Sequence, residues 1–397
     1  MSDARDFFGY RSPDDEPAER RDATDEDGDR DADDVGRAVQ FDEAITLDDA
    51  AVLQRIDPAD MRARVAEMPT QLRTARRVGA AVELDAAHRA ARRVLVLGMG
   101  GSAIGADLVA AAAGDRLRVP LTVHRDYGLP SWVDRDTLVV AASHSGDTAE
   151  TLSGARAARE RGVPLAVIST GGSLGDLARE ARLPYLRYQA PGQPRAAIGY
   201  GVGLLHELLD SAGLVDGPDR LVDAADDVER LLGRIGPSIP TADNPAKALA
   251  WAIFGRVPVV YGAGSMAAVA RRWKTQFNEN AKAWAVAEQM PEANHNAIEG
   301  TLNPRELGES LYVVELRSSD EAPDIAARYQ VVEELLGERA TQRSVAWAEG
   351  SSALSRVLCS VAHGDMVSVY LGILYQTDPT PVTLLSMLKE RLARMAE

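Results

Sequence analysis

A strand, a sharp turn and a helix follow one another at residues 94–113, and the same succession returns at 137–160. That repetition constrains the fold more than any other feature of the chain. Residues 94–97 are a short apolar run rich in β-branched side chains, the composition of a strand buried on both faces. The run ends in Gly98-Met99-Gly100-Gly101-Ser102, where missing Cβ atoms let the backbone turn sharply and approach a ligand. Residues 103–113 then read as a helix. The second unit places strand 137–142 before Ser143-His144-Ser145-Gly146-Asp147-Thr148 and a helix from Ala149. Hydroxyls beside the unpaired N–H groups of a helix N-terminus make an anion site that needs no metal. Two such units imply a pocket for a small phosphorylated molecule at the carboxyl edge of a parallel sheet.

The surrounding sequence keeps the rhythm. Strands are expected near 121–124, 164–169 and 185–188, with helices at 149–160, 174–181 and, after the turn Pro191-Gly192-Gln193-Pro194, at 195–211. This is the α/β pattern of a doubly wound parallel sheet. Upstream, Leu53, Ile56, Met61, Val65, Met68 and Leu72 have helical spacing and predict two helices within 42–86. Residues 218–244 are charged and proline-punctuated, which predicts a linker helix. The rhythm restarts at VPVVYGAGS (257–265), an imperfect echo of VLVLGMGGS (94–102). A helix over 266–278, strands over 311–316 and 344–348, helices over 323–336 and 351–374, and a terminal helix over 383–396 complete the reading. The expected organisation is a tail (1–40), an N-terminal lobe (41–217) and a C-terminal lobe (218–397).

Composition excludes several functions. The net charge of the 397-residue chain is −16. Residues 1–40 hold 14 Asp/Glu against 6 Arg, a net of −8, and read as disordered, with an interaction tail as the alternative. An acidic balance argues against nucleic acid and anionic membranes as partners. No apolar run is expected to approach the ~20 residues of a bilayer span, and no signal peptide is evident. The single Cys359 excludes an intrachain disulfide and a cysteine-based zinc site, and the six histidines show no HxH or HExxH spacing. The expectation is a cytoplasmic protein without metal or cofactor.

Chemistry concentrates in a few places. Three hydroxyls, Ser143, Ser145 and Thr148, within six residues exceed what ordinary N-capping requires, and favour phosphate binding. His144 adds charge to that loop or points to solvent. Glu279, near a helix end in FNENAK (277–282), is a candidate base or a solvated surface carboxylate. His295, between Asn294 and Asn296, is a candidate for acid–base work. Arg195 clamps an oxyanion or caps its turn. Lys389 on its own is a routine surface lysine.

Together, GMGGSAIG (98–105), SHSGDTAE (143–150), PRAAIG (194–199), FNENAK (277–282), EANHN (292–296), and DPTPV (378–382) with Leu388-Lys389 resemble the bifunctional phosphoglucose/phosphomannose isomerase family of the sugar isomerase (SIS) superfamily. The match runs from about residue 41 to the C-terminus. The hydroxyl loop alone marks any SIS protein. NEN followed by NHN, with His295 sixteen positions after Glu279, is more specific. The resemblance implies two SIS-type doubly wound lobes and a metal-independent aldose–ketose isomerase acting on sugar 6-phosphates through a cis-enediol. It implies Glu279 as the proton-transferring base and His295 as a ring-opening residue supplied by the neighbouring subunit of a homodimer. It further implies Lys389 assisting ring opening and Arg195 stabilising the enediolate. Gly101, Ser102, Ser143, Ser145 and Thr148 would hold the substrate and its phosphate, with Thr380 or Thr383 holding a rotated intermediate. His144 and Glu299 depart from the family pattern. A non-catalytic sugar-phosphate sensor and an isomerase for a single other sugar phosphate are the alternatives.

Overall fold

A computed structural model describes residues 46–396, except 218–219, 305–306 and 338–341. The acidic segment read as a disordered tail therefore lies outside the described residues. The described residues all lie within one compact unit.

Two parallel sheets organise this unit. The first comprises β1 (Arg93–Leu97), β2 (Leu121–His124), β3 (Thr137–Ser143), β4 (Leu165–Ser169) and β5 (Tyr185–Arg187), in the order β2-β1-β3-β4-β5. The second comprises β6 (Val257–Ala263), β7 (Val286–Met290), β8 (Leu311–Arg317) and β9 (Gln342–Trp347), in the order β7-β6-β8-β9. In both, the second strand lies on one side of the first and the third on the other. This is the structural counterpart of the sequence echo, and it opens a crevice at the carboxyl edge between the first and third strands. In the first sheet Leu97 pairs with Ala141, so the glycine turn and the hydroxyl turn that follow these residues flank one crevice. β3 is buried at every residue, which its TLVVAAS composition suits.

Four helices precede β1 where the spacing predicts two: α1 (Ala50–Ile56), α2 (Met61–Ala66), α3 (Met68–Gly79) and the single-turn α4 (Ala86–Arg89). The first sheet carries α5 (Gly100–Ala113), α6 (Ala149–Arg161) and α7 (Gly172–Ala181). A 3-10 turn, Pro194–Ala197, comes before α8 (Ile198–Ala212), so Arg195 stands ahead of the helix the sequence assigns it to. The chain continues through α9 (Leu221–Ile235), α10 (Pro245–Ile253), α11 (Ser265–Asn280), the short α12 (Leu307–Ser310), α13 (Pro323–Gly337), α14 (Ala353–Leu374) and α15 (Thr383–Ala396).

Two expectations need correcting, and two elements went unread. The supposed linker helix is an internal strut: α9 packs against α3 and α14, burying Leu221, Ala224, Val228, Leu231 and Ile235. One apolar core consequently runs through residues of both sheets. Strand β7 and helix α10 do not figure in the sequence reading. β7 (VAEQM) is a half-buried edge strand with little apolar signal, whereas α10 did carry one, the Asn244 N-cap followed by Pro245 at the first turn. Finally, α14 is long and apolar enough, by length and composition, to cross a membrane, contrary to the expectation that no run approaches that length. It is nevertheless buried along almost its whole length as the central helix of this fold.

Candidate active site

The hydroxyl loop leaves the start of α6 without a side-chain cap. Thr148 occupies the N-cap of α6, yet its side chain makes no cap bond. Its Oγ1 lies 2.8 Å from Ser143 Oγ, which also accepts the Gly146 N–H at 3.1 Å. Ser145 Oγ accepts from Asp147 N, and Asp147 in turn accepts from the Ser173 backbone and hydroxyl on α7. The turn requires Gly146: φ is +79°, and a Cβ there would meet Gly171 O at 1.9 Å. Across the crevice, α5 also begins without a side-chain cap, in its first turn carrying Gly101 and Ser102. Two helix N-termini thus meet at the switch point with their first N–H groups uncapped by side chains, an electrostatic setting for an anion.

His144 neither charges this loop nor points to solvent. Its Nδ1 is 3.2 Å from the Tyr188 hydroxyl, and the Tyr188 ring stacks on Tyr200 at 4.8 Å. Burial lowers the His144 pKa, so the ring is neutral at neutral pH.

Arg195 joins this crevice to the second sheet. It is buried, and a Cβ on Gly101 would lie 3.5 Å from Pro194 O and 3.9 Å from Arg195 Cα. Arg195 Nε donates to Asn280 Oδ1 at 2.6 Å, and Nη1 donates to Gln193 Oε1 at 3.1 Å and reaches Glu279 Oε2 at 3.5 Å. Its Nη2 donates to the carbonyls of Pro379 (2.6 Å) and Thr380 (2.8 Å). Arg195 therefore does hold a turn, but a distant one at 378–380. Burial pulls its pKa down and the adjacent Glu279 pushes it back up.

Two features fix the end of α11 that carries Glu279. Asn280 Nδ2 donates to Ser368 Oγ on α14 at 2.9 Å. Gly372 of α14 packs against it so closely that a Cβ there would lie 2.6 Å from Asn280 O. Further back along α11, Arg272 donates Nε and Nη2 to the two Asp365 oxygens (3.1 and 2.7 Å) and Nη2 to the Arg195 carbonyl (2.7 Å). This buried pair thereby braces the backbone of Arg195. Neither Arg272, Asp365 nor Asn280 stands out in the sequence beyond Asn280's place in FNENAK.

Glu279, about one-third exposed, borders a cleft of about 550 Å³ with Lys274, Asn278, Lys282, Trp284 and Thr383. Thr383 faces this cleft, whereas Thr380 gives its carbonyl to Arg195 and encloses its hydroxyl. The fold thus gathers Gly101, Arg195 and Glu279, and sets Ser143, Ser145 and Thr148 around one loop. His295 and Lys389 stand apart. His295 is exposed on the 3-10 turn Glu292–His295 after β7, and Lys389 is exposed on α15; neither side chain forms a hydrogen bond or ion pair with the described residues. No group of three or more His, Cys, Asp or Glu converges among the described residues.

Paired parallel sheets with an uncapped, hydroxyl-rich helix start at the switch point define an α/β protein of the SIS class, and residues 89–191 match the SIS domain. Residues 242–392 match the bacterial phospho-glucose isomerase C-terminal SIS domain. The chain belongs to the bifunctional phosphoglucose/phosphomannose isomerase family. It is 33% identical to the protein of that name from Caldicellulosiruptor bescii, over 84% of this chain and 99% of the relative. It is likewise 33% identical to that from Aquifex aeolicus, over 76% of this chain and 91% of the relative. A hypothetical protein of Thermus thermophilus has the same fold, with a TM-score of 0.68 at 18% identity, covering 87% of this chain and 94% of that one.

Proposed function

We propose that this protein is a cytoplasmic, metal-independent isomerase that interconverts glucose 6-phosphate and mannose 6-phosphate with fructose 6-phosphate. The observation that carries the reading is the position of Arg195. Its backbone abuts Gly101 at the anion crevice while its guanidinium lies against the Glu279 carboxylate. A sugar phosphate anchored by Ser102, Ser143, Ser145 and Thr148 would then present its other end to a carboxylate and a cation.

The chemistry follows from those groups. Glu279 removes the C2 proton of the open-chain aldose and returns it to C1, passing through a cis-enediol; O1 and O2 exchange a proton and the product is an isomer of the substrate. General acid–base transfer of this kind contributes ~10²–10⁴-fold. Arg195 stabilises the negative charge that develops on the enediolate. The intermediate is planar at C2, so rotation about C2–C3 lets the same base protonate either face and yield either epimer. Thr383, which faces the Glu279 cleft, is the better placed of the two threonines to hold the rotated form. His295, exposed and unpaired in one subunit, is proposed to complete the site of a partner subunit in a homodimer and, with Lys389, to open the sugar ring.

The test is incubation of EDTA-treated protein with fructose 6-phosphate, with glucose 6-phosphate and mannose 6-phosphate assayed separately. Both products support the reading. Binding without either product would make the protein a sensor, and one product alone would remove the dual specificity. Mixing Glu279→Gln with His295→Ala protein tests the shared site: activity should return in hybrid dimers, and its absence after proven subunit exchange would place both residues in one subunit.

A further inference from the structure

The chemistry above leaves Lys282 without a role, although it borders the same cleft as Glu279. Lys282 follows α11 with φ +52°, a left-handed conformation that a lysine adopts only where its surroundings hold it. The turn sends the side chain back toward the helix. Nζ donates to the carbonyls of Glu279 (2.8 Å), Asp378 (2.8 Å) and Pro379 (3.0 Å). An ammonium has three N–H groups, and all three are engaged.

Two of those acceptors belong to the turn at 378–380, which Arg195 also grips through the Pro379 and Thr380 carbonyls. Three consecutive carbonyls are therefore held by two cations, one from the end of α11 and one from the 3-10 turn. This turn launches α15, which begins three residues later at Thr383. The helix itself is loosely held, since Leu384, Leu385, Leu388 and Leu392 are all well exposed. Its direction thus depends on how its base is tied down.

We propose that Lys282 is a positioning residue that ties the 378–380 turn to the Glu279 end of α11, and so sets where Thr383 and Lys389 stand relative to the base. The functional half of this statement rests on the isomerase reading above; the tie itself does not. The charged groups facing Lys282 are Arg195 from the 3-10 turn, Glu279 and Lys274 from α11, and Asp378 from the turn it holds. Burial and Arg195 bring its pKa down to about 8, against the opposing pull of Asp378 and Glu279. The neutral amine has one donor fewer, so the tie weakens as pH rises through that value.

The experiment compares full-length wild type, Lys282→Met and Lys282→Arg by hydrogen exchange across 376–390 and by steady-state kinetics on fructose 6-phosphate. Lys282→Met should exchange at least about tenfold faster in that segment, in line with loss of a local restraint. Its kcat should fall ~10–100-fold, the usual cost of a small misplacement. KM should stay within about twofold, because the phosphate loop sits on the other sheet. Lys282→Arg should recover part of kcat and move the alkaline limb of its pH profile upward, since a guanidinium does not titrate there. Unchanged exchange in Lys282→Met would overturn the tie, and faster exchange with wild-type kcat would overturn its role in positioning. If wild type does not isomerise these sugars, the substrate reading fails by itself and exchange still decides on the tie.

Discussion

Arg195 and Glu279 are 84 residues apart in sequence, yet Nη1 of one lies 3.5 Å from Oε2 of the other. The arginine is buried while the carboxylate remains about one-third exposed to the cleft. A fixed cation beside an accessible carboxylate suits the proposed proton abstraction, because the charge developing on the proposed enediolate would lie near the guanidinium.

Glu279→Gln should abolish turnover, by at least ~10²-fold, because an amide cannot accept the proton. Sugar-phosphate binding, followed by calorimetry, should stay near wild type. A normal kcat in the Glu279→Gln protein would remove Glu279 from the mechanism.

Ser143→Ala acts at the other end of the proposed substrate. It removes the partner of both Thr148 Oγ1 and the Gly146 N–H, besides a proposed phosphate ligand. A hydrogen bond to a charged group contributes about 1.5–3 kcal/mol, so KM for fructose 6-phosphate should rise roughly 10–100-fold. The effect on kcat should be much smaller. A large kcat defect with unchanged KM would contradict an anchoring role.

Asp365→Asn tests the brace behind Arg195. It leaves the Arg272 guanidinium buried without its counter-charge, and breaking such pairs costs about 3–5 kcal/mol. Urea denaturation should show a loss of that order. A loss below about 1 kcal/mol would mean that the pair is not a structural requirement.

Glu315 supplies a pH signature. It lies in β8, in register with Tyr261, which pairs with Glu288 on the other side, and both its oxygens are buried without a hydrogen-bond partner among the described residues. Burial raises its pKa to about 7, against the pull of Arg343 and Arg317. The folded state thus holds this proton more tightly than the unfolded state. Its contribution to stability is fully present below about pH 4.5, falls as pH rises, and is gone above about 7. Glu315→Gln should flatten stability through that window and be roughly 1–3 kcal/mol more stable than wild type at pH 8. Parallel pH curves for the two proteins would exclude Glu315 as the titrating group.

Much of this protein was legible in the chain. The turns after 94–97 and 137–142, their hydroxyls, and the restart at 257–265 rest on short-range rules: β-branched runs make strands, glycines make turns, and a hydroxyl cluster at a helix start favours an anion. The helix end carrying Glu279 was readable from the residues, whereas its role as base was favoured over a surface carboxylate only through resemblance. Edge strand β7 was not legible, because VAEQM has too little apolar pattern to reveal a strand that a neighbouring strand stabilises.

What only the tertiary structure decided is where the long-range partners lie. That α9 is an internal strut, that Arg195 links the crevice beside Gly101 to Glu279, and that Arg272–Asp365 braces it all depend on helices meeting across the shared core. So does the engagement of Lys282 with a turn 96 residues away. Local sequence specifies conformation because its causes act within a few residues. The partner of a buried charge is chosen by whichever distant group the packed core brings to its donors, and no spacing in the chain encodes that choice.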